Sequence, residues 1–183
     1  FINKITCRCC KIIIDELEKI IEQGFDGIYL DIVDAFEFYE YDKAKNTSKE
    51  NAKKNGVEKQ IRFFNMDLDQ SPPSNVLSTL SGPVDLVVAN PPYIDIDDPD
   101  LSSEVRKWEP SPALFSDDGG LGALRRWSQL SSQILTLGGL AIFEIGWKQA
   151  AQVREIFEKH GYGGIIVIKD LAGHDRAIYG TKQ

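Results

Sequence analysis

The sequence predicts an α/β domain with a mostly parallel sheet and helices on both faces. Three observations carry that prediction. Short β-branched and aromatic runs alternate along the chain with segments of helical periodicity. The run VDLVVA at 84–89 is apolar almost throughout, as a strand buried on both faces is. No internal repeat or low-complexity tract points to another architecture. In a sheet of this kind, ligands bind at the carboxyl ends of the strands.

The elements follow in order. Residues 11–23 (KIIIDELEKIIEQ) place Ile13, Leu17, Ile20 and Ile21 on one helical face, and Gly24 stops the helix. GIYLDIV at 27–33 reads as a strand ending near Asp31, and a charged helix runs on to Asn55-Gly56, a C-terminal signal. A strand at 61–66 (IRFFNM), a Ser/Pro-rich connector with a short helix, and the strand at 84–89 come next. Residues 90–119 form a loop far longer than the usual connection, the kind of loop that carries function. Beyond it lie a helix at 121–135, a Gly138-Gly139 turn, a strand at 140–145, a helix at 147–160, and two strands at 164–170 and 176–182.

At 183 residues, with 42% hydrophobic and 27% charged residues, the chain suits one soluble globular domain. Residues 1–183 are read as that domain, with 1–23 as an atypical N-terminal segment. No apolar run approaches the roughly 20 residues that span a bilayer. The first residue is Phe1, which reads as the start of a fragment or a processed chain. A net charge of −7 with a pI near 4.9 argues against holding a phosphate backbone by bulk attraction, so nucleic acid is not the expected partner. The cysteines, Cys7, Cys9 and Cys10, form one cluster, and His160 and His174 lie far off. Zinc sites use separated ligand pairs, so no metal is expected and the thiols are read as reduced and intracellular.

The strand at 84–89 leaves through Asn90-Pro91-Pro92-Tyr93. This places the Asn90 side chain at the mouth of the sheet. The prolines fix φ and carry no N–H, leaving nearby carbonyls free of ladder pairing. A planar NH2 group has two donors; the Asn90 side-chain oxygen and the Pro91 carbonyl are two matched acceptors. Tyr93 adds a flat π face that can cover a ligand. A rigid Pro-Pro exit with Tyr93 as packing is the plainer alternative on these residues alone.

Asn-Pro-Pro-Tyr after an apolar strand resembles the signature of class I S-adenosylmethionine-dependent methyltransferases that modify amino or amide nitrogens. EVRKWEPSPALFSDDGGLGALRR, LAIFEIGWKQAAQV and KDLAGHDRAIYGTK resemble more narrowly the HemK/PrmC family. That family methylates the glutamine amide of the Gly-Gly-Gln motif in peptide-chain release factors, a step in translation termination. The resemblance covers roughly residues 24–183. It implies a Rossmann-like fold with a seven-stranded type of sheet and an antiparallel C-terminal strand, S-adenosylmethionine as cofactor, and a release factor as protein substrate. It implies that Asn90, Pro91, Pro92 and Tyr93 are the catalytic segment, with Asn90 and Pro91 accepting from the target amide, Tyr93 beside it, and Asn90 also near the methyl donor. Asp31, at the end of the second strand, matches the acid that binds the ribose hydroxyls. Asp67 and Leu68 match positions beside the adenine, and Glu109-Pro110 matches a segment flanking the bound peptide. Glu144-Ile145-Gly146 matches a strand end near the active site. Asp95, Asp97, Asp98 and Asp100 are read as a solvated loop tip.

The chain also departs from the family. Its first strand there ends in a D-x-G-x-G-x-G loop, whose glycines let backbone approach the cofactor. Counting back from Asp31, CRCCKIIIDELEK occupies that place, with no glycine before Gly24. The family's N-terminal helical domain is expected to have no counterpart in these 183 residues. The first strand is therefore read as altered or missing. Two other functions stay open: a truncated, non-catalytic fragment of the fold, and an adenine-amino methyltransferase of DNA or RNA, for which no basic groove is visible. A monomer is expected, and the Lys/Asn-rich, insert-bearing style reads as a eukaryotic member, cytoplasmic or mitochondrial.

Overall fold

The computed structural model describes residues 29–31, 53, 56, 59, 62, 72–99, 101 and 111–183. The cysteine cluster, the helix read at 11–23 and, apart from Arg62, the strand read at 61–66 lie outside the described residues. In chain order the described elements are β1 (Tyr29–Asp31), α1 (Pro73–Leu80), β2 (Val84–Ala89), α2 (Ser111–Leu114), α3 (Gly122–Ile134), β3 (Leu135–Glu144), α4 (Ala150–Lys159), β4 (Tyr162–Lys169) and β5 (Asp175–Lys182). They form one sheet in the order β1-β2-β3-β5-β4. β1, β2 and β3 run parallel, while β5 is antiparallel to both β3 and β4. The expected α/β architecture with an antiparallel final strand is what the sheet has.

Alternation along the central strands sorts their side chains onto two faces. Val87 and Ala89 of β2, with Ala141 and Phe143 of β3, join the cluster formed with Val76, Leu124, Trp127, Val153 and Phe157 of the helices. Leu86, Val88, Leu140 and Ile142 point the other way and are also buried. That two-sided burial is why β2 reads as a continuous apolar run rather than an alternating one. Phe143 meets Phe157 edge to face, with centroids 5.4 Å apart. Tyr162 packs on Phe157 and donates its hydroxyl to the Ser128 carbonyl at 3.0 Å, fastening the start of β4 to α3. Ser128 Oγ, fully buried, also bonds His160 Nδ1 at 2.5 Å.

Two boundaries differ from the sequence reading. Gly138 and Gly139 are not a turn between α3 and its strand; β3 begins at Leu135 and runs through both. A side chain at Gly139 would stand 2.9 Å from the Thr136 carbonyl and 3.1 Å from that of Asp85, so the glycines allow an irregular strand start where β2 and β3 shift register. The residues read as one long loop, 90–119, contain order of their own: α2, and a parallel bridge between Ile94 and Phe115. Pattern reading misses such elements because four residues are too few to show a period. Among the described residues, no helix is long and apolar enough to cross a membrane.

Candidate active site

The parallel strands bring their carboxyl ends to one edge. Asp31 of β1 is the register partner of Ala89, and Ala89 in turn of Phe143. Asp31, Asn90 and Glu144 therefore end three neighbouring strands at one side of the sheet. Asn90 is exposed there, and no described side chain engages its amide. Pro91, one residue on, is wholly buried. The strand thus ends by presenting one amide outward and turning the next residue into the core.

The pairing also gives the strand of Asp31 its neighbour. The sequence counts its strand as the second, with a lost or altered first strand before it. β1 lies directly against the Asn90 strand, so Asp31 and Asn90 stand at adjacent strand ends. Periodicity cannot give such an assignment, because strand order is a property of pairing. The residues that follow Asp31, IVDAFE, contain no glycine either.

Tyr93 is held at both ends. Its hydroxyl donates to Glu144 Oε1 at 2.8 Å, and its carbonyl accepts from Gln149 Nε2 at 2.9 Å. Gly120 lies beneath that carbonyl with φ +83°; a Cβ there would stand 2.3 Å from the oxygen. One residue later, Ile94 N donates to the Leu114 carbonyl and the Ile94 carbonyl accepts from Ser116 N, both at 3.0 Å. Ser116 Oγ accepts from Ala123 N at 2.7 Å, tying this platform to the start of α3. Asp117 and Asp118 pair with Arg126 and Arg125 at 2.9 and 2.6 Å across the turn that delivers Gly120. The order found inside the long loop therefore forms a seat for the segment that follows Asn90.

Electrostatics decide what Tyr93 can do. Burial, reinforced by the adjacent Glu144 carboxylate, pushes its phenol well above the usual range, so it remains a protonated donor. Burial also pushes the Glu144 carboxyl upward, opposed by the Tyr93 hydrogen bond and the Arg176 guanidinium. Neither group is a free base: each is engaged with the other. The sign of the Glu144 shift gives a test. A raised folded pKa contributes stability that is complete below the ordinary value of 4.5 and lost as pH rises through the raised one. Glu144→Gln keeps an acceptor for Tyr93 without the charge. Urea midpoints at about pH 5 and about pH 8 are expected to show wild type losing stability relative to Glu144→Gln as pH rises. An unchanged difference would mean that the carboxyl titrates normally.

Of the residues singled out from sequence, Asn90, Pro91, Pro92 and Tyr93 form one continuous surface-to-core turn, and Asp31 stands at the neighbouring strand end. Tyr93 is part-buried against the core rather than standing as an open face. Asp67, Leu68, Glu109 and Pro110 lie outside the described residues. Pattern reading passed over Gly120 and Gln149. The Gly119-Gly120 pair was a usable signal for a close backbone approach, whereas nothing in the sequence marks Gln149.

The carboxyl ends of β1 and β2 lie side by side, with an exposed carboxamide just past the second. An edge of this kind is where a doubly wound sheet accepts a nucleoside-bearing cofactor.

No family model matches the chain. It is 39% identical over 104 residues to the release factor glutamine methyltransferase of Salmonella typhimurium, covering 56% of this chain and 38% of that protein. It is 36% identical over 138 residues to the enzyme of the same name from Clostridium botulinum, covering 75% and 47%. The chain thus spans about half or less of the length of these curated relatives. The crystal structure of a release factor-specific protein-(glutamine-N5) methyltransferase from Alicyclobacillus acidocaldarius superposes with a TM-score of 0.52 at 20% identity, covering 98% of this chain and 94% of that one. The last likeness speaks for the fold alone. Over the aligned residues, the chain is similar to release factor glutamine methyltransferases, and its fold is that of a Rossmann-like class I methyltransferase.

Proposed function

We propose that this chain transfers a methyl group from S-adenosylmethionine to the side-chain amide nitrogen of a glutamine in the Gly-Gly-Gln motif of a peptide-chain release factor. The observation that carries the reading is Asn90: an exposed carboxamide at the carboxyl end of β2, on a turn whose far side is fixed at Tyr93.

An amide nitrogen is a poor nucleophile because its lone pair is delocalised into the carbonyl. The Asn90 side-chain oxygen and the Pro91 carbonyl accept the two N–H groups of the target and hold the nitrogen in line for attack. Positioning of this kind contributes on the order of 7–11 kcal/mol. The bound cofactor supplies an activated methyl group on a sulfonium. Asp31, at the adjacent strand end, is the residue we assign to its ribose. No side chain has to remove a proton beforehand. Tyr93 is a donor committed to Glu144, so the pair shapes the turn and leaves the acceptor work to Asn90 and Pro91. After transfer the nitrogen is strongly acidic, and its proton leaves to water. A release-factor substrate puts the protein where translation terminates, in the cytoplasm or the mitochondrial matrix.

Calorimetry with S-adenosylmethionine on the full chain, beside Asp31→Ala, tests the cofactor half. Binding on the order of micromolar, about −8 kcal/mol, is expected, weakened at least about tenfold in Asp31→Ala. Mass analysis of a release factor after incubation, with its Gly-Gly-Gln glutamine intact or changed to alanine, tests the other half. A folded chain that binds no cofactor would replace this reading with that of a non-catalytic fragment. Methyl transfer to an adenine amino group and to no release factor would replace the substrate.

A further inference from the structure

Gln149 stands immediately before α4, at a position where Ser, Thr, Asp or Asn usually caps the helix with its own side chain. Its side chain makes no such cap. Instead the amide is used at both ends: Oε1 accepts from the Gly146 N–H at 2.9 Å, and Nε2 donates to the Tyr93 carbonyl at 2.9 Å. Its backbone is fixed as well, with Gln149 N donating to the Gly146 carbonyl and the Gln149 carbonyl accepting from Val153 N, each at 2.9 Å. The side chain therefore links a rigid turn after β3 to the backbone that follows the two prolines.

That link has a consequence for Asn90. β2 fixes the chain up to Ala89 through its ladders, and the ring closures of Pro91 and Pro92 fix φ at both residues. Few soft torsions remain between Ala89 and Tyr93. Anchoring the Tyr93 carbonyl removes most of that remaining freedom, and with it the freedom of the Asn90 side chain and the Pro91 carbonyl to drift apart. We propose that Gln149 is a positioning residue for methyl transfer: through the Tyr93 carbonyl it holds the Asn90 and Pro91 acceptors in register with the target amide.

The chemistry demands an amide of this length. A carboxylate keeps the acceptor toward Gly146 but turns a repelling oxygen toward the Tyr93 carbonyl; a methionine fills the space with neither bond. The kinetic part of the proposal rests on the methyl-transfer reading, whereas the structural part does not. Gln149→Met and Gln149→Glu would be compared with wild type by amide hydrogen exchange and by steady-state kinetics. The expected result is exchange at the Ile94 and Ser116 amides at least about tenfold faster with the β3 amides unchanged, since only the local seat opens. In the same variants kcat is expected to fall on the order of 10²-fold, with the cofactor dissociation constant within about twofold of wild type. Unchanged exchange at Ile94 overturns the proposal. So does faster exchange across β3 together with a retained kcat, which is the mark of a purely structural residue. If wild type transfers no methyl group, the exchange arm alone decides whether Gln149 holds the turn, and the fault then lies with the proposed function.

Discussion

Asn90→Ala is expected to lower methyl transfer by on the order of 10²–10³-fold, the usual effect of removing one preorganised polar group that acts on the reacting centre. Stability is expected to change little, because Asn90 is exposed and no described side chain uses its amide. The substitution removes the acceptor but leaves the scaffold that aims it: Pro91 stays buried, and Tyr93 stays between Glu144 and Gln149. Activity should therefore fall while the free energy of unfolding from urea titration stays within about 0.5 kcal/mol of wild type. Asn90→Asp sharpens the test. It keeps an oxygen at nearly the same place and adds a negative charge, which under the proposed function would favour the cationic cofactor without restoring the amide's geometry. Its kcat is expected to remain low with an unweakened cofactor dissociation constant. A kcat near that of wild type in Asn90→Ala would shift the burden to the Pro91 carbonyl alone.

The fold was legible because its evidence is periodic. VDLVVA could be read as buried on both faces before any pairing was known, and LGALRRWSQLSSQIL shows its helical stripe without help. Asn90 was legible for a different reason: the strand-end rule fixes where a residue after such a run must stand. Two kinds of information were missing. The position of β1 depends on which strand it pairs with, and pairing leaves no trace in periodicity, so its place beside β2 could not be read from the sequence. The seat of Tyr93 is assembled from Gly120, Glu144 and Gln149, of which Glu144 and Gln149 lie 51 and 56 positions from Tyr93 and meet it only in three dimensions. A glutamine that spends both ends of its amide on backbone looks, in one dimension, like any helix-start glutamine.

Gly120→Ala is expected to be the most damaging small change in the described structure. With φ at +83°, any side chain there costs about 1–2 kcal/mol in backbone strain. The added Cβ would also stand 2.3 Å from the Tyr93 carbonyl oxygen and 3.0 Å from Gln149 Nε2. Contacts under 3 Å are relieved cheaply only when a flexible side chain can swing away, and the nearest atom is backbone. That carbonyl cannot retreat without breaking its Gln149 bond, dragging the Tyr93 hydroxyl from Glu144, or disturbing the Ile94 pairing. Overpacking of this kind adds about 1–3 kcal/mol, for a total of roughly 2–5 kcal/mol. The neighbouring residue supplies the control. Gly119 also has a positive φ, +64°, but the nearest atom to its Cβ is Asp95 Oδ2 at 3.8 Å. Gly119→Ala should therefore cost the backbone part alone, about 1–2 kcal/mol. Urea midpoints of the two variants, at equal m, separate the clash from the strain. Equal losses would mean that the Tyr93 seat yields. A larger loss at Gly120, with methyl transfer failing at temperatures where the variant is still folded, would mean that Asn90 is aimed by a backbone that has nowhere else to go.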